Sequence, residues 1–341
     1  MNEIKKAALF VYSDGGCITA EKLRGLMDGV ACDIHTTEKF AEKYGYIPHK
    51  SVCRAMGELF SSYDALIFIC ACGIAVRAVA PHLKNKAVDP AVIVIDDSGR
   101  YVIPILSGHI GGANSFAVKL AGLMGAEAVV TTATDIHGRF SVDEWAARHG
   151  FYITSLKYAK DIAAAILERD VAFSAEVKLP EKLPNGITAA DSGDIGIVVG
   201  VHKTEHYDKT LRLVPKAVTV GIGCRKGMPE EGISSAVSEI LEKYGVDLHS
   251  VYRIASIDVK QNEEGILKFA SKIGAECVLY SAEELNGAKG DFIESEFVRN
   301  TVGVGNVCER AAALSGRIII KKEACRGVTV AASVSDWGIE F

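Results

Sequence analysis

Short runs of consecutive apolar residues alternate along this chain with longer stretches in which apolar side chains recur every three or four positions. Residues 7–12 (Ala-Ala-Leu-Phe-Val-Tyr), 64–71, 91–96, 101–106 and 126–131 read as strands buried on both faces. Between them, residues 19–28 place Leu23, Leu26 and Met27 on one helical face, residues 73–80 form a helix ended by Pro81, and residues 111–124 form another. The turn Asp97-Ser-Gly-Arg100 separates two of the strands. Such alternation predicts a largely parallel sheet with helices on its faces.

The pattern changes over residues 137–216. Helices are expected at 141–149 and 157–169, a short strand at 171–174, a turn-rich stretch at 179–186, and antiparallel strands at 195–201 and 210–214. Pro215 reads as a linker. Residues 217–224 then open a new strand-to-glycine unit, and Pro229-Glu-Glu starts a helix with acids in its first turn. Strands at 251–258, 276–280, 317–320 and 327–333 and helices at 263–273 and 306–314 complete it. The fold class is α/β: two α/β domains with mainly parallel sheets, 1–136 and 217–341, joined by a small α+β middle unit at 137–216.

Composition narrows the function. A chain of 341 residues with 49% hydrophobic and 24% charged residues has a globular composition and room for two or three domains. A net charge of −5 argues against a general nucleic-acid binder, which needs a basic surface. No apolar run reaches the length of a membrane span, and the start of the chain lacks a secretory pattern. Nine scattered cysteines without a Cys-x-x-Cys pair argue against a disulfide scaffold or a structural zinc site. A cytoplasmic protein with reduced thiols is expected.

The densest chemistry lies in Leu106-Ser-Gly-His-Ile-Gly-Gly-Ala-Asn-Ser115, between a strand and a helix. Its glycines admit a ligand close to the backbone, and His109 can act as base, acid or donor near neutral pH. The plainer reading is a capped turn with His109 packed over it. Arg77 in Gly73-Ile-Ala-Val-Arg77, the pair Asp96-Asp97, and Thr131-Thr-Ala-Thr-Asp135 also follow strand ends. The turn Gly221-Ile-Gly-Cys-Arg-Lys-Gly227 is off by one from the dinucleotide fingerprint and suggests a carboxylate or phosphate cradle made with Arg225 and Lys226. Glu309, in Gly303-Val-Gly-Asn-Val-Cys-Glu309, is either a helix cap or a working carboxylate.

Taken together, Gly73–Arg77, Asp96-Asp97, the 106–114 loop and Thr131–Asp135 resemble the N-terminal region of the cobalt-precorrin-5A hydrolases, the CbiG family of cobalamin biosynthesis. Val220-Gly-Ile-Gly-Cys-Arg225, Ala255-Ser-Ile-Asp258, Ser295-Glu-Phe-Val298, Gly303–Glu309 and Gly327-Val-Thr-Val-Ala-Ala332 resemble its C-terminal domain. The resemblance implies a cobalt-corrinoid substrate whose ring A δ-lactone is opened by water, with release of acetaldehyde. It implies no cofactor bound by the protein itself, because cobalt arrives with the substrate. It also implies no nucleic-acid or membrane partner, and transient contact with neighbouring pathway enzymes. On this reading His109 is the base and Asp97 its orienter or the alternative base. Substrate contacts are expected from Arg77, Ser107, Gly108, Gly111, Gly112, Asn114, Thr131, Asp135, Gly221, Gly223, Arg225, Lys226 and Glu309. The N–H groups of Gly111 and Gly112 are the expected oxyanion donors. The rival readings are a non-catalytic corrinoid carrier and, more remotely, a nucleotide-dependent oxidoreductase using the Gly221 turn.

Overall fold

The fold is that of a computed structural model, which describes residues 4–85, 88–109, 111–132 and 138–341. Asp135 therefore lies outside the described residues. The chain forms two compact units, Met1–His149 and Gly150–Phe341.

In the first unit the described elements are β1 (Lys6–Val11), α1 (Asp14–Leu26), β2 (Ala31–Thr36), α2 (Glu38–Tyr44), β3 (Ile47–Pro48), α3 (Val52–Leu59), β4 (Ala65–Ile69), α4 (Cys72–Val79), β5 (Ala91–Ile95), β6 (Tyr101–Leu106), α5 (Ala113–Met124), β7 (Glu127–Ala128) and α6 (Val142–Arg148). The strands make one sheet in the order β3-β2-β1-β4-β5-β6-β7. All neighbours pair in parallel except β5 and β6, which form an antiparallel hairpin. The continuous apolar runs follow from burial on two faces. Ala7, Leu9 and Val11 pack with Leu23 of α1 and Phe116 and Leu120 of α5, whereas Ala8 and Phe10 pack with Met56 of α3 and Val79 of α4. Each such large side chain contributes about 1.5–3 kcal/mol when fully buried.

α1 begins five residues before the apolar pattern suggests. Ser13 caps it by accepting the N–H of Gly16 at 2.9 Å. The space a Cβ on Gly15 would need is filled by the Asp97 carboxylate, which also takes the Ser13 hydroxyl. A side chain at position 15 would have to displace that carboxylate.

The second unit begins with β8 (Tyr152–Ile153), α7 (Leu156–Glu168), β9 (Val171–Ala175), β10 (Ile187–Ala189), β11 (Gly193–Val199) and β12 (Tyr207–Val214). These strands form a sheet in the order β10-β9-β11-β12-β8. Here the structure corrects the sequence reading: β11 and β12 are parallel, as are β9, β10 and β11, and only β8 is antiparallel. The connection between them covers residues 200–206. An extended stretch of that length spans about 25 Å, enough to retrace β11.

The rest of the unit comprises β13 (Val218–Cys224), α8 (Glu230–Lys243), β14 (Val251–Ile257), α9 (Glu264–Lys272), β15 (Glu276–Tyr280), α10 (Ala282–Gly287), α11 (Glu296–Val302), α12 (Val307–Ala313), β16 (Arg317–Cys325) and β17 (Val328–Val334). Its sheet runs β15-β14-β13-β17-β16, with β13, β14 and β15 parallel and the β16–β17 hairpin antiparallel. α8 and α9 cover one face through Ile233, Val237 and Phe269, and α12 covers the other through Cys308, Ala311 and Ala312. A buried ion pair, Arg212 Nη1 to Asp247 Oδ2 at 2.8 Å, ties this sheet's unit to β12.

Candidate functional site

The hairpin of the first unit separates residues that the sequence reading had grouped. β4 and β5 end at one edge of the sheet, where Arg77 and Asp97 follow them. β6 runs the opposite way, so the loop carrying His109 emerges at the other edge, beside the start of β5. Ser107 marks the position: its hydroxyl donates to Asp89 O at 2.9 Å, just before β5. A five-residue strand puts roughly 15 Å between the two edges. Asp97 therefore does not orient His109.

The Asp97 edge is the point where the strand order reverses, between β1 and β4, the usual crevice of a doubly wound sheet. Tyr12, Ser13, Cys70, Ala71, Ile74, Asp96 and Asp97 line a cavity of about 400 Å³ there. Asp97 is engaged with the start of α1. Asp96 ionises more readily than usual: burial opposes this, but the Ser98 hydroxyl and the N–H groups of Tyr101, Ser98 and Arg100 outweigh it. Arg77 is exposed and folds back so that its Nη1 donates to Gly73 O at 3.2 Å.

At the opposite edge, β6 passes through Ser107 in a left-handed conformation (φ 57°) into Gly112 (φ 76°), which precedes α5. The loop closes on itself. Gly112 N–H donates to His109 O at 3.0 Å, Ala113 N–H to Ser107 O at 3.1 Å and Asn114 N–H to Gly108 O at 3.0 Å. A Cβ on Gly108 would sit 2.7 Å from Asn114 Oδ1, and one on Gly111 would sit 2.9 Å from Ser107 O. The glycines thus serve close backbone packing, and the Gly112 N–H, an expected oxyanion donor, is committed to the loop. Gly111 N–H has no partner among the described residues. Asn114 Nδ2 donates to Thr132 Oγ1 at 2.8 Å, so Thr131-Thr132 borders this loop.

His109 has a carboxylate partner that the sequence reading missed. Asp143, near the start of α6, places Oδ1 3.2 Å from His109 Nδ1. The same oxygen accepts from Ser141 Oγ and from Glu144 N–H, both at 3.1 Å. Both side chains are largely buried, 18% and 10% exposed. A carboxylate at Nδ1 favours the tautomer that carries its proton there, with the lone pair on Nε2. An acid two residues after a serine is an ordinary helix start, so nothing local in the sequence marked Asp143 as the partner of a histidine.

In the second unit, the carboxyl ends of β13 and β14 open into a cavity of about 1190 Å³. Gly223, Cys224, Arg225, Lys226 and Gly227 line it, with Lys260, Glu263, Phe297, Asn306 and Lys322 among the others. Glu263 shapes the loop by accepting the Gly227 N–H and by pairing with Lys260 Nζ at 2.9 Å. Burial works against its ionisation, yet those two partners hold its carboxyl below the usual range. Burial pushes the Cys224 thiol up, which leaves it a poor nucleophile. Gly223 is held close to Thr329, whose hydroxyl donates to its carbonyl at 3.1 Å. Lys322 is a cavity residue that the sequence did not flag, and Phe297, part of the Ser295–Val298 motif, was not assigned to a site.

Two expected contacts lie in the wall rather than in the cavity. Gly221 is buried beneath α12, where a Cβ would overlap Cys308 O. Glu309 is 1% exposed. Its Oε2 accepts Ile293 N–H at 2.9 Å and Asn306 Nδ2 at 2.6 Å, while Oε1 accepts Lys322 N–H at 2.7 Å. Asn306 in turn caps α12 by accepting Glu309 N–H at 3.0 Å. The cap is therefore Asn306, and Glu309 braces it together with the Ile293 and Lys322 backbones instead of facing the cavity. Glu309→Gln presents an amide donor to donors and is expected to lower stability by about 1–3 kcal/mol. Urea unfolding followed by circular dichroism checks this; an unchanged midpoint would refute it.

The chain matches the family description "Cobalamin synthesis G N-terminal" over residues 54–135 and "Cobalamin synthesis G C-terminus" over residues 218–333. It is also 33% identical over 354 aligned positions to a Salmonella typhimurium protein named cobalt-precorrin-5A hydrolase, covering 98% of this chain and all of that one. The chain belongs to the Cobalamin synthesis G family. A Priestia megaterium member with the same name is 34% identical, over 77% of this chain and 76% of its own. A solved structure described as a putative cobalamin biosynthesis protein G homolog from Sulfolobus solfataricus aligns over 97% of each chain, with 22% identity and a TM-score of 0.42. Within Cobalamin synthesis G, the N-terminal match includes the His109 loop but not Asp143, and the C-terminal match spans the whole lining of the large cavity.

Proposed function

We propose that this chain is a cobalt-precorrin-5A hydrolase that works on a cobalt-corrinoid substrate. End-to-end similarity to the Salmonella protein of that name is the observation that carries the reading. The cavity of the second unit supports it. Its volume of about 1190 Å³ exceeds the usual range for small-metabolite pockets, and Arg225 and Lys226, neither in a direct ion pair, line it with positive charge suited to acetate and propionate arms.

The chemistry has two stages. Water adds to the lactone carbonyl, giving a carboxylate and freeing a hydroxyl on the extruded carbon. Loss of that hydroxyl proton breaks the adjoining carbon–carbon bond, acetaldehyde leaves, and the electron pair passes into the macrocycle. His109, held by Asp143, is the proposed base, taking a proton on Nε2. Gly111 N–H is the remaining loop donor for a carbonyl oxyanion. The protein needs no metal of its own in this scheme, since cobalt is part of the substrate. We further propose that it works in the cytoplasm and hands its product to neighbouring pathway enzymes. No helix among the described residues is long and apolar enough to cross a membrane.

Anaerobic incubation of the purified protein with cobalt-precorrin-5A tests this. Stoichiometric acetaldehyde with a ring-opened product is expected. Tight binding of the corrinoid without acetaldehyde would replace the hydrolase by a carrier.

A further inference from the structure

We infer that Phe297 is the stacking plate for the corrinoid ring in the cavity of the second unit, a positioning and specificity role that rests on the corrinoid reading above. Phe297 is 80% exposed although it lines a cavity, and Val259, on another element, is 62% exposed at the same cavity. Phe297 is the most exposed of the large apolar side chains among the described residues, and with Val259 it forms an exposed apolar pair at a cavity mouth.

The helix that carries it is fixed, not frayed. Val298 and Val302 of α11 pack against Leu285, Val304 and Val307 and border the cavity from there, with Phe297 and Thr301 beside them on its lining. The ends of α11 are pinned by Gly303 (φ 76°), by Asn286 Nδ2 donating to Gly303 O at 3.0 Å, and by Ser295 N–H donating to Gly305 O at 2.8 Å. Arg299 and Arg310 both grip Glu294, at 2.6 and 2.8 Å. The exposed ring is thus held ready by its supports, which limits the ordering cost of binding.

Charge identifies the occupant. Glu263 is paired with Lys260, Glu264 with Lys268 at 2.6 Å and Glu230 with Lys272 at 2.8 Å. Arg225, Lys226 and Lys322 have no ion-pair partner among the described residues, and Glu231 is the acid left facing them. A cavity with an apolar plate and three cations outside any direct ion pair, against one such acid, fits a broad, flat, apolar ring fringed with carboxylates. A lipid offers no such ring.

The test uses dicyanocobyrinic acid, a stable cobalt corrinoid with free carboxylates, and its heptamethyl ester. The wild-type chain is expected to bind the acid, and the ester more weakly. Phe297→Ala is expected to weaken binding of the acid roughly ten- to a hundredfold, with the thermal midpoint unchanged because the ring is exposed. Phe297→Trp is expected to restore it. In the lactone-opening assay, Phe297→Ala should raise KM and leave kcat near wild type. Equal affinity of wild type and Phe297→Ala overturns this inference while leaving the hydrolase intact. So does self-association that is lost in Phe297→Ala without change in corrinoid affinity, since it assigns the ring to a second copy of the chain. Failure of the wild type both to bind corrinoid and to release acetaldehyde overturns the reading beneath it as well.

Discussion

Replacing His109 with alanine is expected to lower lactone-opening turnover by roughly 10²–10⁴-fold, the range for loss of a general base, while far-UV circular dichroism stays that of the wild type. The imidazole is held through Nδ1 by Asp143, itself fixed by Ser141 and Glu144, so the ring has a defined orientation. Fold should survive, because the loop is closed by backbone bonds between Ser107, Gly108, His109 and residues 112–114, none of which uses the imidazole. Asp143→Asn keeps the shape of the partner but removes its charge, and should fall between His109→Ala and wild type. Asp97→Asn is the contrasting arm. It alters the start of α1 at the other edge of the sheet and should cost stability rather than turnover. Single-turnover acetaldehyde release under anaerobic conditions measures all three. Near-normal turnover in His109→Ala would move the base off this loop.

That contrast shows where sequence reading stops. The strands of the first unit were legible because both faces of a parallel sheet are buried, which makes runs such as Ala91–Ile95 continuously apolar. The hairpin turn at Asp97 was legible too. What does not follow from local pattern is its consequence: one antiparallel step sends the next glycine loop to the opposite edge, and Asp97 and His109 part company. Asp143 was invisible for a related reason. Its partner is 34 positions away in the chain and belongs to another element.

The second unit repeats the lesson in different terms. The turn at 221–227 announced itself by its glycines, and its cations do line a cavity. Yet the glycines answer to different neighbours. Gly227 has a left-handed backbone (φ 75°), whereas Gly221 makes room for a helix. Glu309 is a carboxylic residue in a glycine turn, but three protein donors occupy its oxygens. Phe297 lay in the Ser295–Val298 motif but was given no role, because a phenylalanine at a helical position reads as core, and its exposure emerges only from the packing of α11 through Val298 and Val302.

Gly221→Val is the substitution expected to damage the fold most, lowering the stability of the second unit by at least about 3 kcal/mol. Gly221 sits in the middle of β13, paired with Ala255 on one side and Ala331 on the other. α12 crosses directly over it, and a Cβ there would overlap Cys308 O and lie 3.1 Å from Ala312 N. Both are backbone atoms of a helix, so no rotamer change relieves the clash, and α12 must lift. Lifting α12 strains the Asn306–Glu309 cap, through which Ile293 and Lys322 are held, and moves Asn306, Val307 and Cys308 in the cavity wall. Loss of corrinoid affinity should therefore accompany loss of stability. Gly287→Ala is the control: nothing lies within 4 Å of its Cβ, and it closes α10, so a change between zero and about 1 kcal/mol of added stability is expected. Urea unfolding of the two variants by far-UV circular dichroism decides the matter. A Gly221→Val chain within about 1 kcal/mol of wild type would mean that α12 does not rest on β13 as closely as this packing requires.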